Sequence, residues 1–321
     1  MIIKVGVPTM SYLRIFLVVF LLAPIAQDES PGFLMWTASE LTRLNATLSG
    51  EVAEDQSARV TLADYGNPSG AHRFRFIRRD ADGIPEQHQY IEDVVFIQSG
   101  EGTLHLGGEL GGRTGTGGEF SGTHIVGGIR YPVAAGDILH IPAEVPHRYL
   151  APQGRHLTYV LVRMPAFTGE TVVRADTPAL TLEPLGFAMW RSSELFRRDI
   201  ALSSRMGPDH SARETLADYG NPSGAHRVRF IRRDADGVPE IHDDIIDVVF
   251  ITSGAGRLFV GGRMLNRSGS RGTGIAGGEI HAVGVGDVLH IPRRTPHGYL
   301  IPPGGHITYV LVRVPAFARE V

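Results

Sequence analysis

The stretch EQHQYIEDVVFIQSG at residues 86–100 returns as EIHDDIIDVVFITSG at residues 240–254. Each copy sets Glu, one residue, His, four residues and Asp ahead of an apolar run closed by Ser-Gly. Working outward on the N-terminal side, residues 59–86 match residues 213–240 at 25 of 28 positions, an offset of 154. The match starts earlier, at Gly32, Phe33 and Trp36 against Gly186, Phe187 and Trp190. On the C-terminal side the offset falls to 150, where Gly136-Asp137 answers Gly286-Asp287 and Thr158 to Arg163 returns as Thr308 to Arg313. The missing four residues fall in a Gly-rich segment, where a surface loop absorbs a length change that a paired strand cannot. A period this long marks a duplicated domain and not a solenoid repeat. The expected organisation is a leader over 1–26, one domain over 32–168, a linker over 169–185 and a second domain over 186–318.

Within each copy the pattern is of short strands. Residues 72–78 alternate, with Phe74 and Phe76 on one face and Arg73 and Arg75 on the other. Asp93 to Gln98 reads as a strand stopped by Ser99-Gly100, with Thr103 to Leu106 as its hairpin partner. Ile138 to Ile141 ends at Pro142, and Tyr159 to Val162 is nearly all apolar. Residues 107–128 read as a loop, and 36–44 and 190–197 as short helices. Forty Gly and 20 Pro in 321 residues suit many tight turns. The predicted fold is all-β, a sandwich or barrel in each copy.

The quoted stretch and a second one, Gly136, Pro142 and His147, resemble the two motifs of the cupins. In the cupin pattern His-x-His precedes Glu by three or four residues, and a Gly follows after six. Here His88, Asp93 and Gly100 keep that spacing, as do His242, Asp247 and Gly254. Gly286, Pro292 and His297 repeat the second motif. The resemblance spans the centre of each domain and implies two tandem cupin domains, each a double-stranded β-helix or jelly roll. It has departures. Glu86 and Glu240 stand where the first His is usual, and Asp93 and Asp247 where Glu is usual. Glu144 and Arg294 replace the second motif's Gly, and Ala151 and Ile301 its closing Asn.

The resemblance implies a metal site in each copy, at His88, Asp93 and His147 and at His242, Asp247 and His297. Two His and one carboxylate suit Fe, Mn or Zn with positions left open, and Cu is not excluded. Glu86 and Glu240 then serve as fourth ligands or as the catalytic proton carriers. The competing reading is a metal-free hydrogen-bonded network, in which buried carboxylates take up protons. His140 and His290 read as packed strand residues. His72 and His226 share the face of Phe74 and Phe76, which places them on the cavity wall. Arg73, Arg75 and Arg79, with Arg227, Arg229 and Arg233, read first as a solvated or domain-facing surface and second as a clamp for an anion. Trp36 and Trp190 read as core or lid packing, and Asp64 to Pro68 as a turn.

With no cysteine, disulfides, thiolate ligands and cysteine nucleophiles are excluded. The net charge of −3 offers no overall attraction to nucleic acid. Lys4 and Arg14 ahead of an apolar run at residues 15–26 read as a cleaved export signal, so the expected location is secreted or periplasmic, with no stable membrane insertion. The expected function is a secreted bicupin that binds a divalent metal in each barrel and acts on a small polar molecule, a sugar or organic acid. The alternative is a non-catalytic cupin that holds a small ligand or metal. A homo-oligomer is a third possibility, since cupins pair through sheet edges.

Overall fold

The computed structural model describes residues 32–53, 56–167, 173–174, 184 and 186–317. The expected export segment 1–26 and most of the linker 169–185 lie outside the described residues. Each copy is built around one 16-residue strand, Ile91–Leu106 and Ile245–Val260. The sequence reading cuts the first of these at Ser99-Gly100 into a hairpin, but the structure runs through. Gly100 takes φ +78°, and a bulge sits opposite at Thr158/Tyr159, so the strand bends instead of turning back. Its first part pairs with Ile138–Ile141 and Leu157–Pro165, and its second part with Ile129–Ala134 and His147–Leu150. A Cβ at position 100 would lie 1.9 Å from the His156 carbonyl oxygen, so only glycine fits the corner. The bend curls one sheet into a barrel.

Alternation along these strands then separates two apolar cores. Val95, Ile97, Tyr159 and Leu161 face inward, with Leu104 and Leu139. Val94, Phe96, Val160 and Val162 face outward and pack on Val248, Phe250, Val310 and Val312 of the other copy. The rings of Phe96 and Phe250 stack with centroids 5.3 Å apart. A sheet covered on both faces accounts for the unbroken apolar runs in an antiparallel protein.

The copies also exchange their opening strands. Leu34–Trp36 of the first pairs with Val288–Ile291 of the second, and Ala188–Trp190 of the second pairs with Ile138–Ile141 of the first. Trp36 and Trp190 therefore belong to strands seated in the opposite sheet. The helices that follow, Ala38–Ser49 and Ser192–Ser203, run longer than the sequence suggests. Each begins on a carboxylate of the other copy: the Ala38 amide donates to Asp287 Oδ1 and the Ser192 amide to Asp137 Oδ1, both at 2.8 Å. An anion at a helix N-terminus offsets the helix dipole and satisfies an orphan N–H. The Gly-rich 107–128 segment is not a plain loop. It holds the short strands Glu109–Gly111, Thr114–Thr116, Glu119–Ser121 and His124–Val126.

Four histidines line the junction between copies. His72 and His226 do not line the cavity as the sequence reading expects. They do share the face of Phe74 and Phe76, but that face packs on the other copy. His72 Nε2 donates to the Pro315 carbonyl at 2.6 Å and His226 Nε2 to that of Pro165 at 2.7 Å. His140 and His290 are packed strand residues, as read. His140 Nδ1 lies 2.8 Å from Tyr219 Oη and His290 Nδ1 2.9 Å from Tyr65 Oη, so the Asp64 to Pro68 turn and its copy carry junction contacts.

At this junction the pseudo-symmetry breaks at residue 92: Glu92 bonds His140 Nε2 at 2.9 Å, whereas the equivalent residue in the second copy is Ile246, and His290 Nε2 is without a hydrogen bond among the described residues. Burial pushes His290 down to about 4, and it also lowers His72 and His226. These groups fold neutral and are protonated more readily when unfolded. Their stabilisation is therefore full above the unfolded value near 6.5 and is lost as pH falls from there toward 4. For His290 the loss approaches roughly 3 kcal/mol. Urea unfolding at pH 7 and pH 4.5 should show this decline, with a shallower one in His290→Gln. Equal acid sensitivity of the two proteins would contradict the assignment.

Candidate metal and anion site

The backbone aims three elements at one point in each barrel. Glu86–His88 ends beside the start of the long strand, so His88 and Asp93 point inward across a short turn. His147 opens the strand His147–Leu150 and is the cross-strand partner of Glu86. The turn before it passes through Glu144 at φ +64°, and Arg294 takes φ +59° in the second copy. These residues stand in glycine's usual conformation, and their amides bond the His88 and His242 carbonyls at 2.6 Å, which ties the two motifs together.

The predicted ligand residues converge. Asp93 Oδ2 lies 3.7 Å from His88 Nε2 and 3.6 Å from His147 Nε2, and Glu86 Oε2 lies 3.7 Å from His88 Nε2. In the second copy Asp247 Oδ2 lies 3.4 Å from His242 Nε2 and 3.5 Å from His297 Nε2, with Glu240 Oε2 3.8 Å from His242 Nε2. The potential ligand atoms of Glu86, His88 and His147 all fall within 4.8 Å of one another, as do those of Glu240, His242 and His297. Glu86 and Glu240 sit at the more open side, while the two aspartates are buried.

The donor set fits a divalent ion. His147 Nδ1 donates to the Val145 carbonyl and His297 Nδ1 to that of Thr295, each at 3.0 Å. A neutral ring held this way carries its lone pair on Nε2, facing the carboxylate, and a second-sphere carbonyl of this kind is the usual orientation device for a metal-bound His. Two ligands each about 2.1 Å from one ion are roughly 3.0–3.4 Å apart. The His–carboxylate spacings of 3.4 to 3.8 Å need a contraction of at most a few tenths of an ångström.

Arginine is the largest feature that the sequence reading misplaces. Arg75 and Arg79 do not form a solvated or domain-facing surface. They line the first cavity with Arg59, Arg163, Tyr149 and Tyr159, and Arg229 and Arg233 line the second. Only the rim residues behave as surface: Arg73 bonds Asp64 and Arg227 bonds Asp218. Arg79 Nε donates to Tyr159 Oη at 2.9 Å and Arg233 Nε to Tyr309 Oη at 3.1 Å. The phenolic oxygens of Tyr149 and Tyr299 are buried without a hydrogen-bond partner among the described residues.

Arg163 and Arg313 were missed altogether as site residues. Arg163 Nε lies 3.8 Å from Asp93 Oδ1, and Arg163 Nη2 donates to His88 Nε2 at 3.0 Å. Arg313 Nε lies 3.7 Å from Asp247 Oδ1, with Nη2 3.4 Å from His242 Nε2. Their signal was available: each closes the repeated TYVLVR run in phase with the inward-facing Tyr and Leu.

The charges hold one another. Burial alone would raise the carboxyl of Asp93, but its bond to His147 and the nearby His88 and Arg163 outweigh this and hold it well below the usual carboxylate range. Asp247 is held low in the same way, by His242, His297 and Arg313. Burial depresses His147 and His297, yet the adjacent aspartates reverse this and raise both. Burial also opposes the Arg163 charge, and Asp93 and Glu119 restore it.

The two curled sheets and paired motifs define a tandem cupin fold. In structural comparison the chain is similar to salicylate 1,2-dioxygenase from Pseudaminobacter salicylatoxidans, at 16% identity and a TM-score of 0.53, over 90% of this chain and 86% of that one. A variant of that enzyme in complex with gentisate matches at 15% identity and a TM-score of 0.54, over 91% and 88%. A protein of Pseudomonas aeruginosa described as glyoxylate-induced matches at 12% identity and a TM-score of 0.52, over 90% of each chain. No family model matches the chain, and no curated protein matches it by sequence.

Asp247→Asn should expose how far the site's charges depend on each other. It leaves Arg313 buried without its counter-charge, a loss of about 3 kcal/mol or more in metal-free protein. Thermal melts in EDTA should show the loss, with partial recovery in the Asp247→Asn/Arg313→Met double variant. Additive effects of the two changes would argue against the pair.

Proposed function

We propose that this protein is a bicupin that binds a divalent metal at its paired His-carboxylate clusters and acts on a small organic acid. One observation carries the reading: two imidazoles and a buried aspartate converge on a cavity wall that they share with several arginines, so cation and anion sites adjoin. Salicylate and gentisate, named for the similar structures, are both small carboxylic acids. This favours the organic acid over the sugar.

In the first barrel, His88, His147 and Asp93 hold the ion and Glu86 completes or borders its sphere; His242, His297, Asp247 and Glu240 do so in the second. When bound, the ion supplies a Lewis acid with open positions for oxygen ligands. The arginines orient the carboxylate of the acid by charge-assisted hydrogen bonds. The buried tyrosine hydroxyl of an occupied cavity, Tyr149 or Tyr299, donates to its remaining oxygens. Glu86 or Glu240, at the wetter edge of the cluster, accepts or returns a proton. The apolar floor of Val95 and Leu161 keeps bulk water from the inner wall. Export is part of the proposal, resting on the charged and apolar pattern of residues 1–26.

A second reading, a metal-free binding protein, is favoured by Arg163, which already engages the His88 Nε2 lone pair in the first copy. Elemental analysis decides between them. Protein purified without a metal-affinity tag should carry at least one Fe, Mn or Zn per chain, lost in His147→Ala/His297→Ala with the fold retained by circular dichroism. Metal-free wild-type protein that stays so after incubation with these ions, and melts identically with and without EDTA, would support the second reading.

A further inference from the structure

The two cavities differ, and the difference assigns them different tasks. Resting on the organic-acid reading above, we propose that the second barrel receives the ligand's carboxylate, with Arg313 and Arg271 as its clamp, while in the first barrel the internal carboxylate of Glu119 already takes the equivalent arginine.

Strand pairing places Glu119 directly opposite His88, because Glu119–Ser121 runs antiparallel to Glu86–His88. From there Glu119 Oε2 accepts from Arg163 Nη1 at 3.1 Å and lies 3.1 Å from His88 Nδ1. With Nη2 on His88, both terminal nitrogens of Arg163 are engaged by the protein itself. The second copy lacks this. Its Gly-rich segment is four residues shorter, and the same ladder shrinks to an isolated bridge between Glu240 and Arg271. Glu86 pairs with Ser121 in the first copy and Glu240 with Arg271 in the second, but there the chain turns back at once through a Ser268–Arg271 bridge, and no acidic residue of that segment takes the place that Glu119 has beside His88. Among the described residues Asp247 is the one carboxylate that pairs with Arg313; the Nε of both arginines is buried without a hydrogen bond, so the difference between copies lies in the edge of Arg163 that Glu119 occupies.

The shorter loop also brings a new cation to the mouth. Arg271 lines the second cavity and is exposed, and its guanidinium makes no ion pair among the described residues. Gly298 replaces Arg148 on the wall. The second cavity measures about 200 Å³ against about 70 Å³ for the first. The edge of Arg313 that no glutamate occupies, a second arginine at the entrance and the Tyr299 hydroxyl, which Tyr149 matches in the first barrel, together present donors to a carboxylate on several sides. In the first barrel the corresponding arginine is neutralised and the space is small.

Benzoate, a carboxylate with no other functional group, is the probe. Isothermal titration of the full chain should give one benzoate per chain. Arg313→Met should abolish that binding, and Arg163→Met should leave it in place. Arg271 is exposed on a loop, so Arg271→Met should fold normally and bind about 10-fold more weakly, in line with the loss of one charge-assisted hydrogen bond. Two equivalent benzoate sites in the wild type, or loss in Arg163→Met but not in Arg313→Met, would overturn the assignment and leave the organic-acid reading intact. No benzoate heat in any variant, in protein that retains its metal, would overturn both.

Discussion

The contact on which everything else depends is the back-to-back packing of two sheets that are each buried on both faces. Phe96 stacks on Phe250, and the valines beside them interlock. With both faces of a strand committed, a slip of one residue would drive Asp93 or Arg163 into the junction and a valine into the cavity. The junction thus sets the phase that points Asp93, His147 and Arg163 at a common centre. The exchanged strands and the helix caps from Asp137 and Asp287 add a second constraint, since neither copy completes its sheet or its helix start alone.

The site that results is an electrostatic compromise. Two aspartates are kept ionised in a buried setting by neighbouring imidazoles and guanidinium groups, and His147 and His297 are in turn held to a fixed tautomer by backbone carbonyls. In the proposed reading a cation sits between its lone pairs and an anion against its arginines. The surroundings differ between copies more than the cluster does. The inward residues His88, Asp93, His147 and Arg163 have direct counterparts, whereas the loop that carries Glu119 in one copy is trimmed in the other. The copies differ in the length of this loop and in the cavity beside it, while the strands that place the inner residues correspond.

The duplication, the β-barrel class and the inward convergence of His88, Asp93 and His147 were legible in the sequence, because spacing within a short motif survives translation into a strand and a turn. The corner at Gly100 was not. Ser-Gly reads equally as a turn or as a bend, and the deciding contact with His156 comes from distant chain. Likewise His72 and Phe74 were correctly given one face, but periodicity does not say whether that face meets a cavity or another sheet. The same ambiguity hid Arg75 and Arg79, since a charged face is ordinarily solvated and here it lines the barrel. Arg163 was concealed by its apolar neighbours, and Glu119 by a segment whose glycines disguise a hairpin.

The central claim is that His88, Asp93 and His147, with their counterparts in the second copy, surround a single point in each barrel and hold a metal there. Anomalous diffraction from crystals soaked in Mn(II) tests it most directly. The account predicts a peak about 2.1–2.2 Å from His Nε2 and carboxylate oxygen in a barrel centre. Crystals in which these side chains diverge, or in which Mn(II) binds elsewhere and leaves both clusters bridged only by arginine, would contradict it.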